Sequence, residues 1–539
     1  MKIQPVVLAS LLALLPTASR AQSTDSPPAF DIADVHASAP RRFPNLFGGV
    51  LRGDRFVMHQ ATMLDMVSNA YSLDPSNVLG GPSWLEMDRF DIVAKAPSTT
   101  PPETVKLMLR SLLADRFKLV VHNGTKPLPA YLLSVGTGKP KMKETSGSGE
   151  SGCNGQPSPP NADPAAVPYI YVSCRNMTME AFAEDLHQMA GGYLTNPVID
   201  STGLKGSWDF DLKWTGRGNL AKAGADGVSI FDAVDKQLGL KLELQTAARP
   251  VLIVDSANEQ PTPNSPEVEK VLPTPPPAQF EVAVIKPSKP DTRRSGDLKV
   301  NQVDVHGITL KFIISFAWDL NPNDNEAIVG APKWLDSDQF DILAKVSSEN
   351  QGVVSPNSPP LDLDDLRQML RAMMADRFKM KSHMEDRPVT TYSLVAVSPK
   401  LRKADPSSRT HCNEGPGPDG KDPRLTNPVL NRLVSCQNMN MAQIGDELQR
   451  IAGGYIYSPV LDTTGITGSW DFTLSFSSIN LSRGGGPQQP GSESAASDPN
   501  GALSLFDAVN KELGLKLEKQ RRAVPVLVID SINEQPTDN

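Results

Sequence analysis

At 539 residues the chain is too long for one hydrophobic core, and roughly 150 residues per domain would make it three or four folding units. Hydrophobic residues at 39% and charged residues at 21% are ordinary for a globular protein. A net charge of −8 and a pI near 5.5 argue against a nucleic-acid partner, which needs a basic face, and no basic run or basic amphipathic helix points to a membrane surface.

The chain opens with Lys2, an apolar run from Val6 to Leu15, and Ser19-Arg20-Ala21 ahead of Gln22. Small residues at −3 and −1 fit a signal-peptidase site, so 1–21 is expected to be a signal peptide. The run is shorter than the about 20 residues a spanning helix takes, so no stable membrane insertion is expected after cleavage. The expectation is an exported protein, periplasmic or extracellular.

The next feature is repetition. The block 103–135 returns without a gap as 364–396, NPVIDSTGLKGSWDFDL returns as SPVLDTTGITGSWDFTL, and LGLKLE and NEQPT each occur again near the C-terminus. Self-similarity at this spacing means tandem domains. The first repeat is expected over 29–262 and the second over 279–537. Between them, the Pro-rich linker 263–278 reads as an extended spacer.

In chain order, FDIADVHAS and LRGDRFVMHQ read as strands. ATMLDMVSNAYSL reads as a helix capped by Thr62, with Met63, Met66, Val67 and Ala70 on one face. DRFDIVAKA follows as a strand and ETVKLMLRSLLADRF as a helix with the stripe Val105, Met108, Leu109, Leu112, Leu113. FKLVVH and AYLLSV are expected to pair with each other across NGTKPLP. YVSCRNM, MEAFAEDLHQMAGG, PVID, SWDFDLKW and SIFDAVDKQLG continue as strand, helix, strand, strand and helix, and KLELQTA and PVLIVDSA as a closing strand pair. A fainter likeness between the halves of each repeat implies two related units of about 90 residues in each. The fold class is therefore α+β, two tandem homologous domains of two strand-helix-hairpin units each, with helices on mainly antiparallel sheets.

The four cysteines permit three pairings, and the repeat favours Cys153–Cys174 with Cys412–Cys436, each closing a Gly- and Pro-rich loop. Their spacing is wrong for zinc. The duplicated DRFK (Asp115 to Lys118, Asp376 to Lys379) is expected to anchor a helix–strand junction, with Phe117 and Phe378 in the core. His59 matches His306 and His122 matches His383, but none stands in a ligand cluster, so no metal is expected. Asp200-Ser-Thr-Gly203 and Asp462-Thr-Thr-Gly465 read as side-chain-bonded turns rather than protease loops. No nucleophile elbow, phosphate loop or dinucleotide fingerprint occurs, so no catalytic residue and no cofactor is expected. The turn-borne Trp84, Trp334, Trp208 and Trp470 are the candidates for ligand contact, although large aromatics serve equally as plugs of small cores.

These motifs together resemble a family of exported proteins expanded in soil acidobacteria, the Solibacter-type paralogues, which share a domain of unknown function. The resemblance rests on the early F-D-I and F-E-V strands, Lys286-Pro-Ser288, G-x-P-x-W-x(4)-RFDI at 81–92, MLRSLLADRFKL, the cysteine loop, PVIDSTGLKGSWDF and LGLKLE. It covers nearly the whole mature chain, twice over; the chain departs in having two copies and in His36-Ala37-Ser38 where the second copy has Lys-Pro-Ser. The resemblance implies an extracytoplasmic sensing or binding role and brings no catalytic residues. The leading expectation is an exported, non-enzymatic binding or interaction protein whose partner is an unknown envelope or extracellular ligand or protein. The alternative is an extracytoplasmic hydrolase acting on envelope or environmental polymers.

Overall fold

The computed structural model describes residues 27–537 except 42–43, 45, 158–166, 274–276, 300, 347–360, 418–419, 428 and 483–500. The expected signal peptide and most of the Gly-rich loop before the last helix lie outside these.

The first repeat runs β1 (Ile32–Ala37), β2 (Phe47–Arg52), β3 (Arg55–Thr62), α1 (Met63–Tyr71), β4 (Val78–Gly80), β5 (Arg89–Lys95), α2 (Pro102–Arg116) and β6 (Val120–Val135). It continues with β7 (Lys143–Thr145), β8 (Gly152–Gln156), β9 (Tyr169–Met177), α3 (Met179–Met189), β10 (Val198–Asp200), β11 (Ser207–Thr215), α4 (Ile230–Ala233) and β12 (Leu240–Ser256). The fold is α+β with two matching halves. Thr62 caps α1, whose buried residues are the expected Met63, Met66, Val67 and Ala70; α2 buries its expected stripe together with Arg116.

Two expected hairpins are instead two long strands. Residues on both sides of NGTKPLP form the single strand β6, and those on both sides of Arg249 form β12; the two pair antiparallel from Leu240↔Val135 to Ser256↔Val120. Pro and Gly favour turns, but a two-stranded ribbon tolerates them where no further strand needs the ladder hydrogen bond. The ribbon joins two units by exchange. β6 leaves the first unit and its far end takes β10 as a parallel neighbour in the second, while β12 leaves the second and takes β4 in the first. Leu252 and Val254 accordingly lie in one core with α1 and α2, and Tyr131 and Leu133 in another with α3 and β11.

The second repeat repeats the plan: β13 (Phe280–Pro287), β14 (Ser295–Lys299), β15 (Gln302–Thr309), α5 (Leu310–Ala317), β16 (Ile328–Val329), β17 (Gln339–Val346), α6 (Leu363–Arg377) and β18 (Lys381–Ala396). Then come β19 (Arg402–Lys403), β20 (His411–Glu414), β21 (Arg432–Met439), α7 (Met441–Ile451), β22 (Val460–Asp462), β23 (Trp470–Phe476), α8 (Leu505–Ala508) and β24 (Leu515–Ser531). Its ribbon is β18 with β24, flanked by β22 and β16. Each of the four units has its own large buried cluster. The Pro-rich segment expected to be extended carries a helical turn, Val268–Val271, with Val268 and Leu272 buried. Among the described residues no helix is long and apolar enough to cross a membrane.

Candidate functional site: a charged seam between the repeats

The most exactly repeated residues build the fold. In each unit an aspartate at the start of the F-D-I or W-D-F strand accepts the backbone N–H of a left-handed bulge residue on the neighbouring strand. The pairs are Asp91 with Gln60 at 2.8 Å, Asp209 with Asn176 at 2.8 Å, Asp341 with Gly307 at 3.0 Å and Asp471 with Asn438 at 2.9 Å. The bulge residues have φ of 53°, 52°, 59° and 52°. Two residues later Thr62, Thr178, Thr309 or Asn440 caps the following helix. The serine of the Lys-Pro-Ser position, Ser288, donates to Asp341 at 2.6 Å, and Ser38 does the same to Asp91.

Arg116 and Arg377 of the DRFK motifs hold the NEQPT segments. Arg116 donates to the carbonyls of Thr262 and Ala33, and Arg377 to those of Thr537 and Ala283. The straps are also tied by backbone bonds from Asn258 to Phe117 and from Asn533 to Phe378, both phenylalanines being fully buried. Asp200 and Asp462 close their turns by accepting the N–H and hydroxyl of Thr202 and Thr464.

Trp84, Trp208, Trp334 and Trp470 are partly buried, and each packs on a different one of the four cores. They are not gathered at one place. Trp84 lies edge-on to Phe90, and the indole N–H groups of Trp208 and Trp470 are buried without an acceptor. Cys153–Cys174 and Cys412–Cys436 form disulfides between directly opposed residues of β8 with β9 and β20 with β21. Glu447 lies near the second pair, but those sulfurs are bonded to each other and its carboxylate is engaged by Arg450 at 2.7 and 2.5 Å, which does not fit a metal site.

Sequence reasoning missed a group of partly buried charges that lies where the two repeats meet. From the first repeat, Arg41 faces Asp364 at 3.2 Å, His59 Nδ1 lies 2.7 Å from Asp362, and Arg217 lies 3.4 Å from Asp422, itself held by Arg424 at 2.8 and 2.9 Å. In the opposite sense Glu86 receives Arg409 at 3.0 Å with His411 Nδ1 4.0 Å away, and the Thr410 N–H donates to the Ser83 carbonyl at 3.0 Å. Gly415 sits against Thr195, where a side chain would meet Thr195 Cγ2 at 3.1 Å.

Burial tends to lower the pKa of His59, but the hydrogen bond and charge of Asp362, with Asp91 and Asp365 behind, outweigh it and raise the imidazole. Burial opposes ionisation of Asp422, yet Arg424 and Arg217 hold its carboxyl below the usual range. Asp365 reaches solvent at the rim, but desolvation of its carboxyl, then the charge of Asp362, pushes it up to about 6. Opposed charges at this density, screened from water, suit the docking of two protein surfaces.

A sign of the seam lies in the sequence where the repeats disagree. Asp362 stands where the first repeat has Pro101, Arg409 where it has Glu150, and Arg217 where the second has Ile479.

No curated protein and no solved structure matches the chain. A family model described as Protein of unknown function (DUF3738) matches residues 64–257 and 311–532, one stretch in each repeat and together well over half the chain. The chain belongs to that family, in two copies.

Proposed function

We propose that this is an exported, non-enzymatic binding or interaction protein in which duplicated α+β modules present docking surfaces. The observation that carries the reading is that the chain already uses one such surface on itself: the disulfide-pinned edge strand β20 and its flanks, Arg409 to Gly415, seat on the first repeat through Ser83, Glu86 and Thr195. The equivalent edge of the first repeat, β8, leaves Asn154 to Gln156 exposed. An unpaired strand edge is a common place for partner binding. The disulfides fit an oxidising compartment, and the apolar N-terminal run fits export. The partner would be an envelope or extracellular ligand or protein.

The test is a thermal-shift screen of residues 22–539 against envelope glycans, peptides, nucleotides and metals. A ligand at about 100 times its Kd adds about 2.7 kcal/mol if it binds only the folded state. A reproducible shift supports the reading. Release of product from a polymer substrate would favour a hydrolase instead.

A further inference from the structure

The seam carries two of the chain's seven histidines, one from each repeat, each facing a carboxylate of the other. We propose that the seam is an acid-tightened clamp: protonation of His59 opposite Asp362 of the other repeat draws the repeats together, and loss of that charge loosens them. The inference does not depend on the identity of any ligand.

The geometry makes the pairs reciprocal. His59 lies on β3 with its side chain 27% exposed, and Asp362, 7% exposed, caps α6 through the amide of Asp364. Asp91 on β5 and Asp365 on α6 also face His59, and Asp364 on α6 is neutralised by Arg41 and Arg367. Arg89 is directed to the Gln60 carbonyl, with Arg450 of α7 beyond it.

A neutral His59 can still share one hydrogen bond with Asp362. Protonation adds a full charge to that bond without moving either group, and charge-assisted bonds are about twice as strong. Histidine titrates near 6.5, so the transition belongs between mildly acidic and neutral pH.

The readout is hydrogen–deuterium exchange of the peptide containing Thr410, whose amide crosses the seam to Ser83. In the full mature chain, corrected for intrinsic exchange, protection is expected to fall several-fold between about pH 5.5 and about pH 8. In the His59→Gln variant it should be low at both pH values. Equal protection of the native chain at both pH values, or an unchanged slope in that variant, would overturn the clamp. Should that variant not fold, His59→Lys, a cation fixed over this range, should flatten the same pH slope, and a retained slope there would also overturn it.

Discussion

The Asp91 carboxylate accepts the amide of Gln60 at 2.8 Å while Gln60 is held at φ 53°, and the three other units repeat the arrangement. The bond fixes the bulge from which each first helix starts, which is why W-D-F and F-D-I recur. Asp209→Ala or Asp471→Ala should each cost about 1–3 kcal/mol, since a buried-side amide loses its acceptor. Gly307→Val should also destabilise: φ is +59° and its Cβ would lie 2.8 Å from the Thr292 carbonyl. Urea unfolding would measure both.

Arg116→Ala and Arg377→Ala should release the NEQPT straps and cost about 2–4 kcal/mol, because several carbonyls lose a charged donor together. Lysine should not restore the loss, as it cannot bridge carbonyls in a planar fork. Faster exchange of the Thr262 and Thr537 amides, which bond to Arg116 and Arg377, would report strap release directly.

Reduction of the disulfides should destabilise without abolishing secondary structure. The pairs close loops of 21 and 24 residues, and each is worth about 3 kcal/mol through the unfolded chain. Melting with and without reductant should show the drop, and Cys153→Ala with Cys174→Ala about half of it.

The seam's pH dependence has two limbs. His59 is raised, so its contribution is full below its unfolded pKa and is lost as pH rises through the folded value. Asp365 is raised as well and acts the same way, its charged form being the disfavoured one. Asp422 is lowered, so its contribution is present above its unfolded value and disappears as pH falls through the folded one. The seam should be strongest in mild acid and weaken in both strong acid and alkali. Asp422→Asn should lessen the acid limb without moving the limb set by His59, as followed by melting temperature against pH.

Much of the local structure was legible in the sequence. The stripe from Val105 to Leu113, the Thr62 cap and the two cysteine pairings depend on spacings of a few residues, which periodicity reports. The ribbons were not legible, because β6 and β12 contain Pro127, Pro129 and Pro250, and only the exchange between units turns those stretches into continuous strands. The seam was hidden for a different reason. Asp362, Arg409 and Arg217 pair with residues 303, 323 and 205 positions away, and they lie where the repeats have diverged. Trp84 and its three counterparts stand out in the sequence, yet burial distributes them over four cores.

The central claim, that the two repeats dock through ionic pairs into one body, is tested most directly by scanning calorimetry of the mature chain and of Glu86→Gln with Asp422→Asn. The native chain should melt in one cooperative transition near mildly acidic pH, and the variant should resolve into two. Two independent transitions in the native protein, unmoved by these substitutions, would contradict it.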